Sequence, residues 1–208
     1  LQEAGSWRGT TTTSAGAATT TLESEATYED GQPLVHGRTA AGSPQQLEIV
    51  AAGGIVYIKS PSLGTPAGKW LKIDPDDPAN ADNPLAGLAA AADPDVALRA
   101  MGDLESLELV GPETVNGVET DHYRVVIDAR SYAKVLGLPS EIASSLPATI
   151  PADTWVDADD RPIRVTTKVT IQGITSTTTQ DYSDFGADVE VTVPKDSETV
   201  PLSEARLG

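Results

Sequence analysis

Two histidines, His36 and His122, are the side chains here whose ordinary pKa lies nearest neutral pH. Each sits in an alternating, strand-like run, "LVHGRT" (34–39) and "TDHYRVV" (120–126), and neither belongs to an H-E-x-x-H pattern. Both are read as surface strand residues rather than as general bases. Cysteine is absent, which removes a thiol nucleophile, a disulfide framework and a Cys-ligated zinc site. No G-x-S-x-G elbow and no phosphate-cradling glycine loop occurs. Adjacent carboxylates at Asp76/Asp77 and Asp159/Asp160 could in principle share acid–base work, yet both pairs lie in turn-like stretches. Turns favour Asp because its carboxylate accepts from nearby backbone N–H groups. "DPDDPANADNP" (74–84) has the composition of a calcium loop without the D-x-[DN]-x-[DN]-G-x5-E spacing. Helix capping by Asn83, with Pro84 at the first helical position, accounts for its end instead. No catalytic residue, metal ligand or cofactor is therefore expected, and a hydrolase using acidic residues is only a third reading.

Charge narrows the partners. Acidic residues number 31 and basic residues 14, for a net charge of −17. Nucleic-acid binding needs a basic patch to displace counterions from phosphates. The densest positive run, "RPIRVTTK" (161–168), alternates like one face of a strand. No nucleic-acid partner is expected, and a bare anionic membrane would repel the chain. Solubility is the plain meaning of such charge, and a monomer is expected. "LQEAGSW" (1–7) reads as the end of a helix, so a preceding segment is expected outside this chain.

The elements that would position any site are mostly strands. Only 4% of residues are aromatic, so the core must come from Val, Ile, Leu and Ala, and Thr recurs in "GTTTTS" (9–14) and "TSTTT" (175–179). In "AATTTLESEATYED" (17–30), Ala18, Thr20, Leu22, Ser24, Ala26 and Tyr28 share one face. Gly53–Gly54 turns into "IVYIKS" (55–60), and "VNGV" (115–118) is the strongest hairpin signal, since Asn116 and Gly117 both tolerate positive φ. On the return strand Tyr123, Val125 and Ile127 share a face, as do Ile163, Val165, Thr167, Val169 and Ile171 later. The tail from 187 onward reads as partly extended, then polar.

Two stretches break the strand pattern. "NPLAGLAAAADPDVALRAMGDL" (83–104) predicts two short helices over about 84–102, and "RSYAKVLGLPSEIASSLP" (130–147) predicts a second helical zone over about 130–146. The fold class is α+β, mainly antiparallel β. About 10–11 strands in sequential hairpins form one large sheet that curls into a half-barrel, and the helices cover its concave face. Residues 1–208 form a single domain. The candidate cavity residues are Leu22, Tyr57, Leu85, Leu88, Val96, Leu98, Met101, Val135, Leu138, Ile142, Leu146 and Val165. Alanine-rich helices over a wide sheet either approach it closely or leave apolar space that takes an apolar guest.

The blocks "YIKSP" (57–61), "GKWLKIDPDDP" (68–78), "GPETVNGVETDHYRVVIDA" (111–129), "LPATIPADTWVDADDRPIRV" (146–165) and "DYSDFG" (181–186), in that order, resemble the LppX/LprA/LprF/LprG lipoproteins of mycobacteria and their actinobacterial relatives. The resemblance covers nearly the whole chain. It implies a half-barrel like that of the LolA/LolB lipoprotein carriers, with a hydrophobic cavity between sheet and helices. It implies export, and a lipid anchor on an N-terminal cysteine, which this chain lacks and which would lie outside it. It further implies a non-catalytic envelope protein that binds acylated lipids or glycolipids and carries them toward the outer envelope. A membrane transporter is a conceivable second partner. Loops 61–68 and 74–84 would then form a gate. The competing reading is a scaffold of the same fold with a closed core, which would use the sheet's exposed edge or its acidic outer face.

Overall fold

The computed structural model describes residues 1–40, 43, 45–63, 65–74, 77, 104–135, 138, 140–171 and 173–202. For Glu141 and Ile142 it describes the backbone alone. Strands β1 (Ser6–Ala15), β2 (Ala18–Glu29), β3 (Gln32–Thr39), β4 (Glu48–Ala52), β5 (Ile55–Lys59) and β6 (Trp70–Ile73) form one meander. Strands β7 (Leu104–Val115), β8 (Val118–Asp128), β9 (Thr149–Val156), β10 (Pro162–Ile171) and β11 (Ile174–Ser183) form a second. The meanders join where β1 pairs with β11. A short β12 (Thr199–Pro201) adds in parallel beside β6. The result is one curled twelve-stranded sheet, ordered β12-β6-β5-β4-β3-β2-β1-β11-β10-β9-β8-β7. Every pair but β12–β6 is antiparallel.

Local chemistry explains the meander. Asn116 and Gly117 adopt φ of 53° and 82°, the two positive values that a type I′ hairpin demands. Gly53 and Gly54 do the same at 57° and 79°. The β9–β10 turn is held by Asp157, whose Oδ1 accepts from the backbone N–H of Asp159 (3.0 Å) and Arg161 (2.9 Å). Its Oδ2 accepts Nε and Nη2 of Arg161 at 2.9 and 2.7 Å. Burial pushes the Asp157 carboxyl up, but these hydrogen bonds outweigh it and leave the group below its ordinary value.

Two helices interrupt the second meander, α1 (Ala129–Val135) and α2 (Ser140–Ser145), and α1 starts one residue before the predicted zone at about 130–146. Asp128 caps α1 by accepting the Ser131 backbone N–H at 2.8 Å. That bond, with the Ser131 side chain, lowers the Asp128 pKa. Ala129 and Ala133 are the buried residues of α1, and short side chains there let the helix backbone sit close to the sheet. The expected helices over 84–102 fall outside the described residues.

One element was not anticipated. After β11, at the centre of the sheet, the chain runs past the start of β1, where the Gly186 N–H donates to Ser6 O at 3.0 Å and Arg8 Nη2 donates to Asp188 O at 3.3 Å. Lys69 Nζ donates to Ser197 O at 2.6 Å, and β12 then covers the free side of β6. Val200 and the buried Leu202 pack into the core, so the tail expected to be partly extended and then polar forms a strap with an apolar end.

Candidate functional site

Cross-strand partners point to the same side of a sheet, so the ladders define its two faces. Ile73, Val56, Ala51, Val35, Ala26 and Trp7 form one continuous row from β6 to β1, all buried. The next row on that face runs Leu71, Ile58, Ile49, Gly37, Ser24, Gly9, Tyr182. The buried apolar residues of both rows, with Val165 and Leu202, make the first buried cluster, and Ile49 packs against it. Each fully buried Val, Leu or Ile contributes roughly 1.5–3 kcal/mol, so this cluster dominates the fold's stability.

A second cluster lies on the same face, toward the other edge. It holds Val125, Ile127, Ala129, Ile150 and Ala152, with Tyr132, Leu146 and Val169 packed against it. Burial alone raises the Tyr132 pKa, as expected for a phenol held under α1 against the sheet. Among the described residues the two clusters do not merge. Between them the same face carries Thr11, Thr13, Thr178 and Gln180 on the central strands β1 and β11. The hydroxyls of Thr13 and Thr178 lie 3.2 Å apart. A domain of this size usually has one contiguous core. Here a half-exposed hydroxyl strip divides it.

The sequence-predicted residues distribute as follows. Leu22 stands half-buried on the apolar face of β2, beside Thr11. Val165 is buried in the first cluster, and Leu146 packs on the second. Leu138 is half-buried after α1, and Val135 is exposed at its end. Ile142 lies on α2 with its side chain undescribed. Leu85, Leu88, Val96, Leu98 and Met101 lie outside the described residues, as does most of the gate loop expected at 74–84. Tyr57 needs correction: its ladder partner is Val50, which pairs with His36, so it stands on the opposite face from Leu22. Alternation along β5 puts Val56 and Ile58 on the apolar side and turns Tyr57 away.

The opposite face is a charged lattice. One row runs His122, Trp155, Arg164, Asp181, Thr10, Glu23, Arg38, Glu48, Lys59 from β8 to β5. Each histidine sits between carboxylates. His36 Nε2 is 3.2 Å from Glu48 and its Nδ1 3.5 Å from Glu25. His122 Nε2 is 2.8 Å from Asp153 and its Nδ1 3.4 Å from Glu113. Each ring nitrogen of both histidines therefore has a carboxylate within 3.5 Å. Among the described residues no group of three or more such side chains is placed to hold a metal ion.

The β7–β8 hairpin folds over this charged face, an arrangement that local alternation does not signal. Its tip residue Asn116 donates to Asp181 Oδ1 at 2.9 Å, and Arg164 Nε donates to the same oxygen at 2.7 Å. Under the tip, Trp155 stacks on His122 with centroids 4.4 Å apart and donates from Nε1 to Glu113 at 2.8 Å. Beside them a cleft of about 470 Å³ is lined by Glu113, Glu119, Asp121 and Asp157. One face of the sheet thus carries the buried apolar clusters, and the other carries ion-paired charge with an acidic cleft beside the hairpin.

Comparison with known proteins places the fold. No family model matches the chain. The lipoprotein LppX of Mycobacterium tuberculosis superposes with a TM-score of 0.56 at 14% identity, over 90% of each chain. LprF of Mycobacterium bovis superposes with a TM-score of 0.50 at 14% identity, over 91% of this chain and 89% of that one. The fold is that of the LppX/LprF lipoproteins, as the sequence blocks implied. In sequence, an uncharacterized 31.2 kDa protein of Streptomyces griseus, from the rplA–rplJ intergenic region, is 32% identical over 117 residues. That match takes in 52% of this chain but only 37% of the relative's length.

Proposed function

We propose that this LppX/LprF-type fold is a non-catalytic envelope carrier that holds an acylated lipid or glycolipid against the apolar face of its sheet. The observation that supports this reading most is the divided core: two apolar clusters on one face, separated by the strip Thr11, Thr13, Thr178 and Gln180. One acyl chain laid along Val169, Tyr132 and Leu146, and a second against Leu22 on the other side of the strip, each gain roughly 0.8 kcal/mol per buried CH₂, with no directed contact needed. The hydroxyl strip suits the ester or sugar end of the same molecule. Chain length is then discriminated only weakly, which favours a carrier of broad specificity. The reading includes export and anchoring through a lipidated segment outside the chain, with residues 1–208 acting as one domain. Native mass spectrometry after incubation with a diacyl glycolipid tests it. A one-to-one adduct that the deacylated headgroup does not compete away is expected. Failure of the diacyl lipid to bind, with the free headgroup binding instead, would overturn the proposal.

A further inference from the structure

We infer that the open edge of β7 is a docking site for a short, extended, cationic peptide segment carrying apolar side chains at alternate positions. Among the described residues β7 has a neighbour on one side only, β8, and is the last strand of the sheet. The backbone groups on its other side are a template for strand addition. Natural edges are usually blunted, and this one is blunted selectively. Irregularities in the β7–β8 register fall between Leu104 and Ser106 and between Leu109 and Gly111, and Pro112 follows. Regular pairing resumes over Gly111–Val115, where Pro112 offers no N–H, so Ser106–Leu109 is the longest regular window free of proline. A window this short admits a short linear segment and stops propagation along the edge.

The side chains of that window define the partner. Leu107 and Leu109 pair with Val125 and Tyr123, so they stand on the apolar face, yet they are 60% and 58% exposed. Leucines this open, side by side on an edge, are unusual unless something covers them. Glu105 and Glu108 supply exposed charge, Glu108 with Arg124 3.8 Å away on β8, while Glu113 is taken up by Trp155 and His122; residues 104–121 contain no Lys, Arg or His. The acidic cleft at Glu119 and Asp121 continues it. A second copy of this chain does not fit, because antiparallel pairing of two β7 edges would set glutamate against glutamate and leucine-rich windows between bulges. An anionic membrane does not fit for the same reason of charge. A segment alternating Lys or Arg with Val or Leu meets both demands. Its backbone completes the ladder, its apolar side chains lie over Leu107 and Leu109, and its cations face Glu105 and Glu108.

The test is fluorescence anisotropy of a labelled hexapeptide alternating Lys and Val, titrated with the whole chain at physiological ionic strength. Three outcomes support the inference together. Binding should weaken by about tenfold or more when alternate backbone amides of the peptide are N-methylated, because strand addition needs those donors. Binding should weaken by about tenfold when Glu105 and Glu108 are both changed to Lys, or when Leu107 is changed to Lys. Amide exchange of Ser106–Leu109 should slow in the complex. All three changes lie on exposed residues, and a circular dichroism melt matching the parent confirms that each variant folds. Equal affinity for the N-methylated peptide would mean charge attraction alone and overturn the inference. So would protection elsewhere, or a reversible dimer of the chain that the Leu107→Lys change abolishes.

Discussion

Trp7 gives the sharpest single-residue test of the packing described here. It is 1% exposed, at the heart of the first cluster, with its ring edge-on to Tyr182 at 5.1 Å. Its Nε1–H is buried and finds no acceptor among the described residues. Trp7→Phe deletes that donor and part of the ring. Losing roughly 40 Å² of buried apolar surface costs about 1 kcal/mol. A residual void of roughly 40 Å³ costs about 1 kcal/mol more. Relieving the unpaired donor returns about 1–3 kcal/mol. The net change should lie within about 1 kcal/mol of zero, whereas Trp7→Ala should cost about 3–5 kcal/mol. Urea unfolding followed by circular dichroism measures both. A loss of about 3 kcal/mol or more for Trp7→Phe would show that the N–H is satisfied in solution, and the reasoning would fail.

Other substitutions probe separate parts of the account. Ile127→Ala, at a fully buried site of the second cluster, should cost about 3 kcal/mol by equilibrium unfolding, and Leu107→Ala on the open edge should change stability by no more than about 0.5 kcal/mol. Gly9→Ala would set a Cβ 2.6 Å from the Asp181 carbonyl oxygen and 3.1 Å from the Trp7 ring, so a loss of about 1–3 kcal/mol is expected by the same assay. Asp157→Asn should destabilise by about 2 kcal/mol at neutral pH, since charge-assisted bonds to Arg161 are weakened. The folded pKa of Asp157 lies below its ordinary 3.8, so its stabilisation is present above that value and is lost as pH falls through the lowered folded value. The gap between parent and variant should accordingly narrow in acid, and a gap that stays constant with pH would contradict this account of the turn.

Strand alternation made much of the sheet legible. The faces of β2, β8 and β10 follow directly from period two in "AATTTLESEATY", "YRVVI" and "IRVTTKVTI", and the Asn116–Gly117 turn follows from its residues. The same rule applied to "IVYIKS" would have turned Tyr57 away from Val56 and Ile58, but a buried aromatic looks like core whichever face it takes. Long-range features were less visible. Nothing local in "PKDSETVPL" says that three residues will pair in parallel with β6, because that contact depends on where the strap arrives. The fold-over of the β7–β8 hairpin is similar. It rests on Asn116 reaching Asp181 across two intervening strands, a contact that no spacing along the chain encodes. The division of the core was hidden in the threonines. Their runs read as solvated strand; alternation along β1 puts Thr11 and Thr13 on the side of Trp7, and the register adds Leu22 and Thr178 to that side.

Where an acyl chain sits on this protein tests the central claim most directly. A diacyl glycolipid with a diazirine near its acyl terminus can be crosslinked to the intact chain and the adducts mapped by peptide sequencing. The account predicts adducts on apolar-face residues such as Leu22, Tyr132, Leu146 and Val169, competed away by unlabelled lipid. Adducts confined to the charged face, around Glu23, Arg38 and Glu48, would contradict it.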